Sequence, residues 1–238
     1  MTERDPERIL VVTAHPDDVD FGVAGSVATW TAAGIEVTYC IVTDGDAGGS
    51  DVELPRDEMA RIRRAEQVAA GAVVGVHDVR FLGYPDGRLA PTLELRRDIS
   101  RVIRQVQSRR VVTQSPDRFW DRIYASHPDH LAAGEAAVCA VYPDARNPFA
   151  HRELLEGEGL EPWTVAELWL MAHRDVDVHV DTTDVIDKKV AALRCHASQL
   201  AEPAAMDGMM REWGALVAAR VGLPEGRTAE AFKAVDTR

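Results

Sequence analysis

Residues 9–25 read ILVVTAHPDDVDFGVAG. Ile9 to Val12 form an unbroken apolar run rich in β-branched side chains, which suits a strand buried on both faces. The run gives way to His15, Pro16, Asp17 and Asp18, with Asp20 close behind. An imidazole and several carboxylates this close together repel one another or titrate abnormally unless a cation, protons or water relieves them. Small residues follow, and 23–33 (VAGSVATWTAA) suits a tightly packed helix that stops at Gly34.

Outward from this unit the pattern recurs. Residues 36–43 (EVTYCIVT) predict a second buried strand, followed by the turn-rich TDGDAGGSD. A helix is expected over 56–71, a short strand over 79–82 running into GYPDG, and a helix over 92–107. Residues 111–113 predict a strand that leads into the long polar loop SPDRFWDRIYASHPDH, then an Ala-rich helix over 131–142. After a Pro- and Gly-rich excursion at 143–162 come strands at 167–171 and 176–180. Helices are expected over 183–200 and near 206–221. Alternating β and α units with continuously apolar strands predict an α/β fold. The expectation is a single-domain, Rossmann-like, mostly parallel sheet with helices on both faces. The chain reads as one domain over 1–238, with its core at about 8–200 and a C-terminal helical extension at 201–238.

Ligands of such sheets gather at the carboxyl ends of the strands. Each early strand discharges polar residues at that end. No G-x-G-x-x-G follows the first strand, and carboxylates occupy the place of a phosphate cradle, so nucleotide chemistry is disfavoured.

Composition narrows the partners. The 238-residue chain carries a formal net charge of −12. That argues against nucleic acid and against an anionic bilayer, both of which call for a basic footprint. No apolar run approaches the ~20 residues of a membrane span, and MTERDPERIL has no signal-peptide core behind it. A cytoplasmic protein acting on a small molecule is expected. Cys40, Cys139 and Cys195 are widely spaced and read as small buried residues rather than a disulfide frame.

Two segments echo each other: AHPDD at 14–18 and SHPDH at 126–130. Each lies beyond a predicted strand end. Mixed histidine and carboxylate ligands suit zinc, with one position left for water in a catalytic site. Proline pushes the preceding residue into an extended conformation, so His15 and Asp18 can turn toward one point. Asp20 reads as a cap of the following helix. Asp44 and Asp46 read as turn formers. His196, in CHASQ, is divided between a structural role and the pocket wall. His77, His151, His173 and His179 have no partner pattern.

AHPDD, TDGDAGG, the PDG of LGYPDG, SHPDH and CHASQ together resemble the LmbE-like (PIG-L) family of zinc-dependent de-N-acetylases. The resemblance runs from about residue 8 to 200, with the motifs in the family's order. It implies that His15, Asp18 and His130 ligate Zn2+, though Fe2+ or Co2+ would suit the same donors. Asp17 would be the general base toward a water activated by the metal. His127 would either stabilise the tetrahedral oxyanion or protonate the leaving amine. Asp129 would orient a histidine from behind. An arginine on the helix after the second strand, Arg64 or its neighbour Arg63, and Asp86 of the PDG loop would hold sugar hydroxyls. Asp46 stands where several relatives carry Glu, and Tyr124 lies one residue out of step with a tyrosine of some relatives, so neither inherits a role. The implied activity is removal of an acetyl group from an N-acetylated amino sugar or its conjugate. Cleavage of a bulkier amide such as a thiol conjugate, and metal binding without turnover, are the alternatives. Relatives that assemble into trimers or hexamers leave a homo-oligomer open.

Overall fold

In the computed structural model, residues 7–49, 51–200 and 202–238 are described. The apolar run at residue 9 forms β1 (Arg8–Thr13), whose last five residues are buried. Four more strands lie parallel to it: β2 (Glu36–Thr43), β3 (Asp78–Tyr84), β4 (Arg110–Gln114) and β5 (Glu167–Met171). The sheet order is β3-β2-β1-β4-β5-β7-β6, where β6 is Val178–Asp181 and β7 is Ala229–Asp236. Both late strands run antiparallel to their neighbours.

Successive strand residues point to opposite faces, and both faces are covered. Leu10 and Val12 pack under α4 (Leu93–Val106) and α5 (Pro128–Cys139). Ile9 and Val11 pack under α2 (Ala24–Ala32), which follows the short α1 (Asp18–Gly22), together with α3 (Arg56–Val73) and α7 (Ile186–Arg194). The one-turn helix α6 (Arg152–Glu156) belongs to the excursion after α5. The α/β architecture is the one expected: a mostly parallel sheet between two helical layers. Cys40 is buried within it, whereas Cys139 and Cys195 sit near helix ends and are only partly buried, and all three are free.

The C-terminal segment differs from its expected helical character. Helix α8 (Pro203–Arg220) is there, but the chain then returns as β7 and inserts between β5 and β6. Glu230 hid this strand. Its carboxylate is buried, and it accepts hydrogen bonds from the Gly25 and Ser26 backbone N–H, the Ser26 hydroxyl and the Lys189 ammonium. A strand that carries a helix-capping carboxylate into the interior does not read as apolar. Asp20 also departs from expectation. It lies inside α1, fully buried, where it accepts from Gln67 Nε2 and lies 2.8 Å from His196 Nε2.

Arg110 fastens the far face. Its guanidinium stacks 3.8 Å from the Trp169 ring centroid and 5.5 Å from that of Trp30, and it pairs with Glu167. Cation–π contacts with partly desolvated rings contribute about 0.5–2 kcal/mol each. Arg110→Ala is expected to lower stability by about 2 kcal/mol, seen as a Tm lower by roughly 4–8 °C.

Candidate active site

The sheet reverses its winding between β1 and β4, since β2 and β3 lie on one side and β5 on the other. That switch point is where an open α/β sheet leaves a crevice at its carboxyl edge. AHPDD leaves β1 and SHPDH ends the loop leaving β4, so the topology brings the two motifs to the same crevice. Gln114 at the end of β4 accepts a hydrogen bond from Ala14 N at 3.0 Å, tying the two strand ends together. Gly134, one turn beyond His130, lets α5 approach closely. A Cβ there would lie 2.3 Å from the Gln114 carbonyl oxygen.

Local chemistry sets each side chain. His15 precedes Pro16 and stays extended. Asp17 caps α1 with φ at 92°, a conformation that costs a non-glycine residue about 1–3 kcal/mol. Three contacts hold it there: Gln67 Oε1 accepts from Asp17 N, and Arg63 donates to the Pro16 carbonyl and to the Asp17 carboxylate. Arg63 also donates to the Gly45 carbonyl, and a Cβ on Gly45 would collide with its guanidinium. At the second motif, His127 caps α5 and Pro128 occupies the first helical position, which its fixed φ suits. His127 Nδ1 accepts from Asp129 N at 3.2 Å, so the neutral ring carries its proton on Nε2.

The groups converge tightly. The two oxygens of Asp18 meet two imidazoles, His15 Nδ1 at 3.3 Å and His130 Nε2 at 3.0 Å. The opposite nitrogen of His15 lies 3.2 Å from both Asp86 and Asp129. The rings of His15, His127 and His130 stand 5.1–5.3 Å apart by centroid. Two sets of donor atoms lie within 4.8 Å of one another: His15, His127 and His130, and His15, Asp86 and Asp129.

Electrostatics couple the members of the cluster. Burial alone would depress His15, but the Asp18 charge and hydrogen bonds to Asp129, Asp18 and Asp86 raise it to about 12. Burial likewise opposes the charged form of His130, and Asp18 outweighs it. Burial would raise Asp18, yet the His130 and His15 charges hold it well below the carboxylate range. Asp17 is pushed up to about 6, first by burial and then by the Asp18 charge, against Arg63, His196 and His15. His127 is lowered by burial and then by the charges of His15 and His130. The centre demands positive charge, and its donors are nitrogens and carboxylate oxygens. His15 can donate Nε2–H to Asp129 or Asp86 while Nδ1 faces Asp18, the arrangement usual for a metal-ligating histidine. The residues fit a small divalent cation.

Two positions differ from the sequence reading. Arg64, expected to reach the substrate, lies on the exposed side of α3, where it makes a two-pronged pair with Asp44 and stacks 5.2 Å from the Phe81 centroid. Its neighbour Arg63 is the one turned into the cluster. Asp86, expected to hold sugar hydroxyls, is instead turned inward against His15 and accepts from Ala47 N. Its loop is pinned by Asp129, which accepts from Gly87 N and Leu89 N, and by Asp46, which accepts from Asp86 N. Gln67 was not singled out in the sequence, although its place one helical turn after Arg63 was a signal. His196 proves wholly buried behind Asp20. Gln67→Leu, which removes the acceptor of Asp17 N and a donor to the buried Asp20 carboxylate, is expected to cost about 2 kcal/mol, read as a Tm lower by roughly 4–8 °C.

With fold and site in view, comparison with known proteins is decisive as to family. The profile described as GlcNAc-PI de-N-acetylase (PIG-L) matches residues 10–141. A diacetylchitobiose deacetylase of Thermococcus kodakarensis is 32% identical over 198 residues, 83% of this chain and 72% of that protein. The chain belongs to the PIG-L family. A probable N-acetyl-α-D-glucosaminyl L-malate deacetylase 2 of Bacillus subtilis is 30% identical, covering 87% of this chain and 86% of its own length. Among solved structures, N,N'-diacetylchitobiose deacetylase from Pyrococcus horikoshii, complexed with an inhibitor, superposes with a TM-score of 0.89 at 28% identity. That match covers 98% of this chain and 85% of the other. Among the described residues no helix is long and apolar enough to cross a membrane.

Proposed function

We propose that the protein is a metal-dependent hydrolase that removes the acetyl group from an N-acetylated amino sugar or its conjugate. One observation carries the reading: His15 and His130 meet on the two oxygens of Asp18, with Asp17 clamped beside them. His15, Asp18 and His130 would hold the cation, Zn2+ in the first instance, with Fe2+ or Co2+ as alternatives. When bound, such a cation polarises an amide carbonyl and brings a water near a pKa of ~7.

The chain's own residues divide the remaining work. Asp17, oriented by Arg63 and Gln67, takes the proton from the attacking water. His127 presents Nε2–H toward the space between the motifs, where it can stabilise the developing oxyanion or supply the proton that the amine carries away. Asp129 and Asp86 orient His15 from behind. The two relatives named above share the substrate theme: both names describe deacetylases, one of diacetylchitobiose and one of a glucosaminyl malate.

The test is a mass-spectrometric assay of zinc-loaded protein against diacetylchitobiose, N-acetylglucosaminyl malate and N-acetylglucosaminyl inositol. Loss of one acetyl group from at least one of them is expected, suppressed by a chelator. No turnover of any N-acetylated sugar at high enzyme concentration would favour metal binding without catalysis.

A further inference from the structure

A cavity of about 830 Å³ opens from the metal-capable cluster, between α8, the turn before α5 and the ends of β5 and β7. Asp18 and His130 form its inner wall, whereas Asp17, His127, Arg63 and Asp86 take no part in its lining. Its other walls are mainly apolar, with Phe21, Met210, Trp213 and Val217 among them. The interior charges at its floor neutralise each other: Lys189 and Glu230 are both buried and joined at 2.5 Å. Tyr124, Leu216 and Met209 line it with their side chains largely in water, at 71%, 65% and 53% exposure.

The placement distinguishes the two halves of an amide. With His127 as the group that hands the amine its proton, one of its two roles, the amine half faces His127. The cavity begins at Asp18 and His130, and His127 does not line it, so it extends from the acyl side of a carbonyl seated at the cluster. An acetyl methyl would leave nearly all of that space unfilled. Of the charged residues that also line it, Arg122 lies over the apolar wall, 4.6 Å from the Trp213 ring centroid, and Glu212 and Arg220 make up the rest.

We infer that this cavity is an acyl pocket, and that the enzyme accepts N-acylated amino sugars whose acyl group is a medium-length apolar chain. This rests on the proposed amide hydrolysis. Water adds to the acyl carbon, the C–N bond breaks, the amine leaves with a proton, and the carboxylic acid is released into the pocket.

The experiment compares N-acetyl-, N-butanoyl- and N-octanoylglucosamine as substrates of the zinc-loaded protein. Full burial of a methylene is worth about fourfold in binding. The octanoyl substrate should therefore exceed the acetyl one by at least about tenfold in kcat/KM. Val217→Trp, which fills the pocket, should lower the octanoyl-to-acetyl ratio by about tenfold. Leu216→Asp, at an exposed position that does not threaten folding, should lower it in the same direction. A flat or falling chain-length profile overturns the inference. Calorimetric binding of octanoate separates this outcome from failure of the function itself. If no amide is hydrolysed, saturable octanoate binding weakened by Val217→Trp still supports the pocket, and absence of binding overturns it. An oligomer that covers α8 and excludes octanoate, seen by sedimentation, also overturns it.

Discussion

Asp17→Asn is expected to lower kcat for an N-acetylated amino sugar by about 10²–10⁴-fold, the range that a positioned general base contributes. That corresponds to roughly 2.7–5.5 kcal/mol of barrier. The substitution is nearly isosteric. The new amide can still accept the Arg63 hydrogen bond through its side-chain oxygen, and the backbone N–H at this position still donates to Gln67, so the clamp survives. What disappears is the capacity to take a proton. Because Asp17 does not stand among the donors that meet Asp18, metal content by elemental analysis should match the parent protein. A rate within a few-fold of the parent would remove Asp17 from the chemistry. A large loss of metal would instead make it a ligand.

The same clamp shows how much of the site could be read in advance. The strand β1 and the two HPD motifs were legible because their cues are local: a β-branched run, then carboxylates and histidines next to prolines. Their convergence was legible because a parallel sheet sends all its carboxyl ends to one rim. The choice between Arg63 and Arg64 required one more step. On α3 the buried residues are Met59, Arg63, Gln67, Ala70 and Gly71, spaced by three, four or one. Arg63 and Gln67 therefore lie on the apolar stripe of an otherwise charged helix, and Arg64 lies off it. That stripe shows in the folded helix, whereas RIRRAEQ by itself left the two arginines open.

Asp86 and β7 were not legible in that way. Nothing local decides whether the carboxylate of a PDG turn faces solvent or a histidine from another strand. That outcome depends on Asp129 pinning the loop from forty residues away. β7 carries Glu230 at a buried position because the amino end of α2, some two hundred positions earlier, supplies the N–H groups that solvate it. Long-range partners of this kind leave no mark in a sequence window.

His130→Ala is expected to strip the protein of metal. The imidazole supplies one of the two nitrogens on the Asp18 carboxylate, and Asp18 and His15 alone make a poor site for a divalent cation. The loss in affinity should exceed the 10–100-fold typical of an outer supporting partner. Elemental analysis after dialysis reads it directly, and thermal unfolding reads it without any substrate. A cation at a hundred times its Kd stabilises the folded state by about 2.7 kcal/mol, so the parent should gain roughly 5–10 °C in Tm on adding zinc, and the variant little. His127→Ala is the matched control. Its ring stands as close to His15 as the His130 ring does, at 5.1 Å against 5.2 Å by centroid, but its Nδ1 is engaged with the Asp129 N–H and makes no contact with Asp18. It should keep the zinc-induced rise in Tm while losing turnover. If both His127→Ala and His130→Ala lost the metal, the cation would sit among the three imidazoles instead. Asp18 would then serve to orient His15 and His130 and not to ligate.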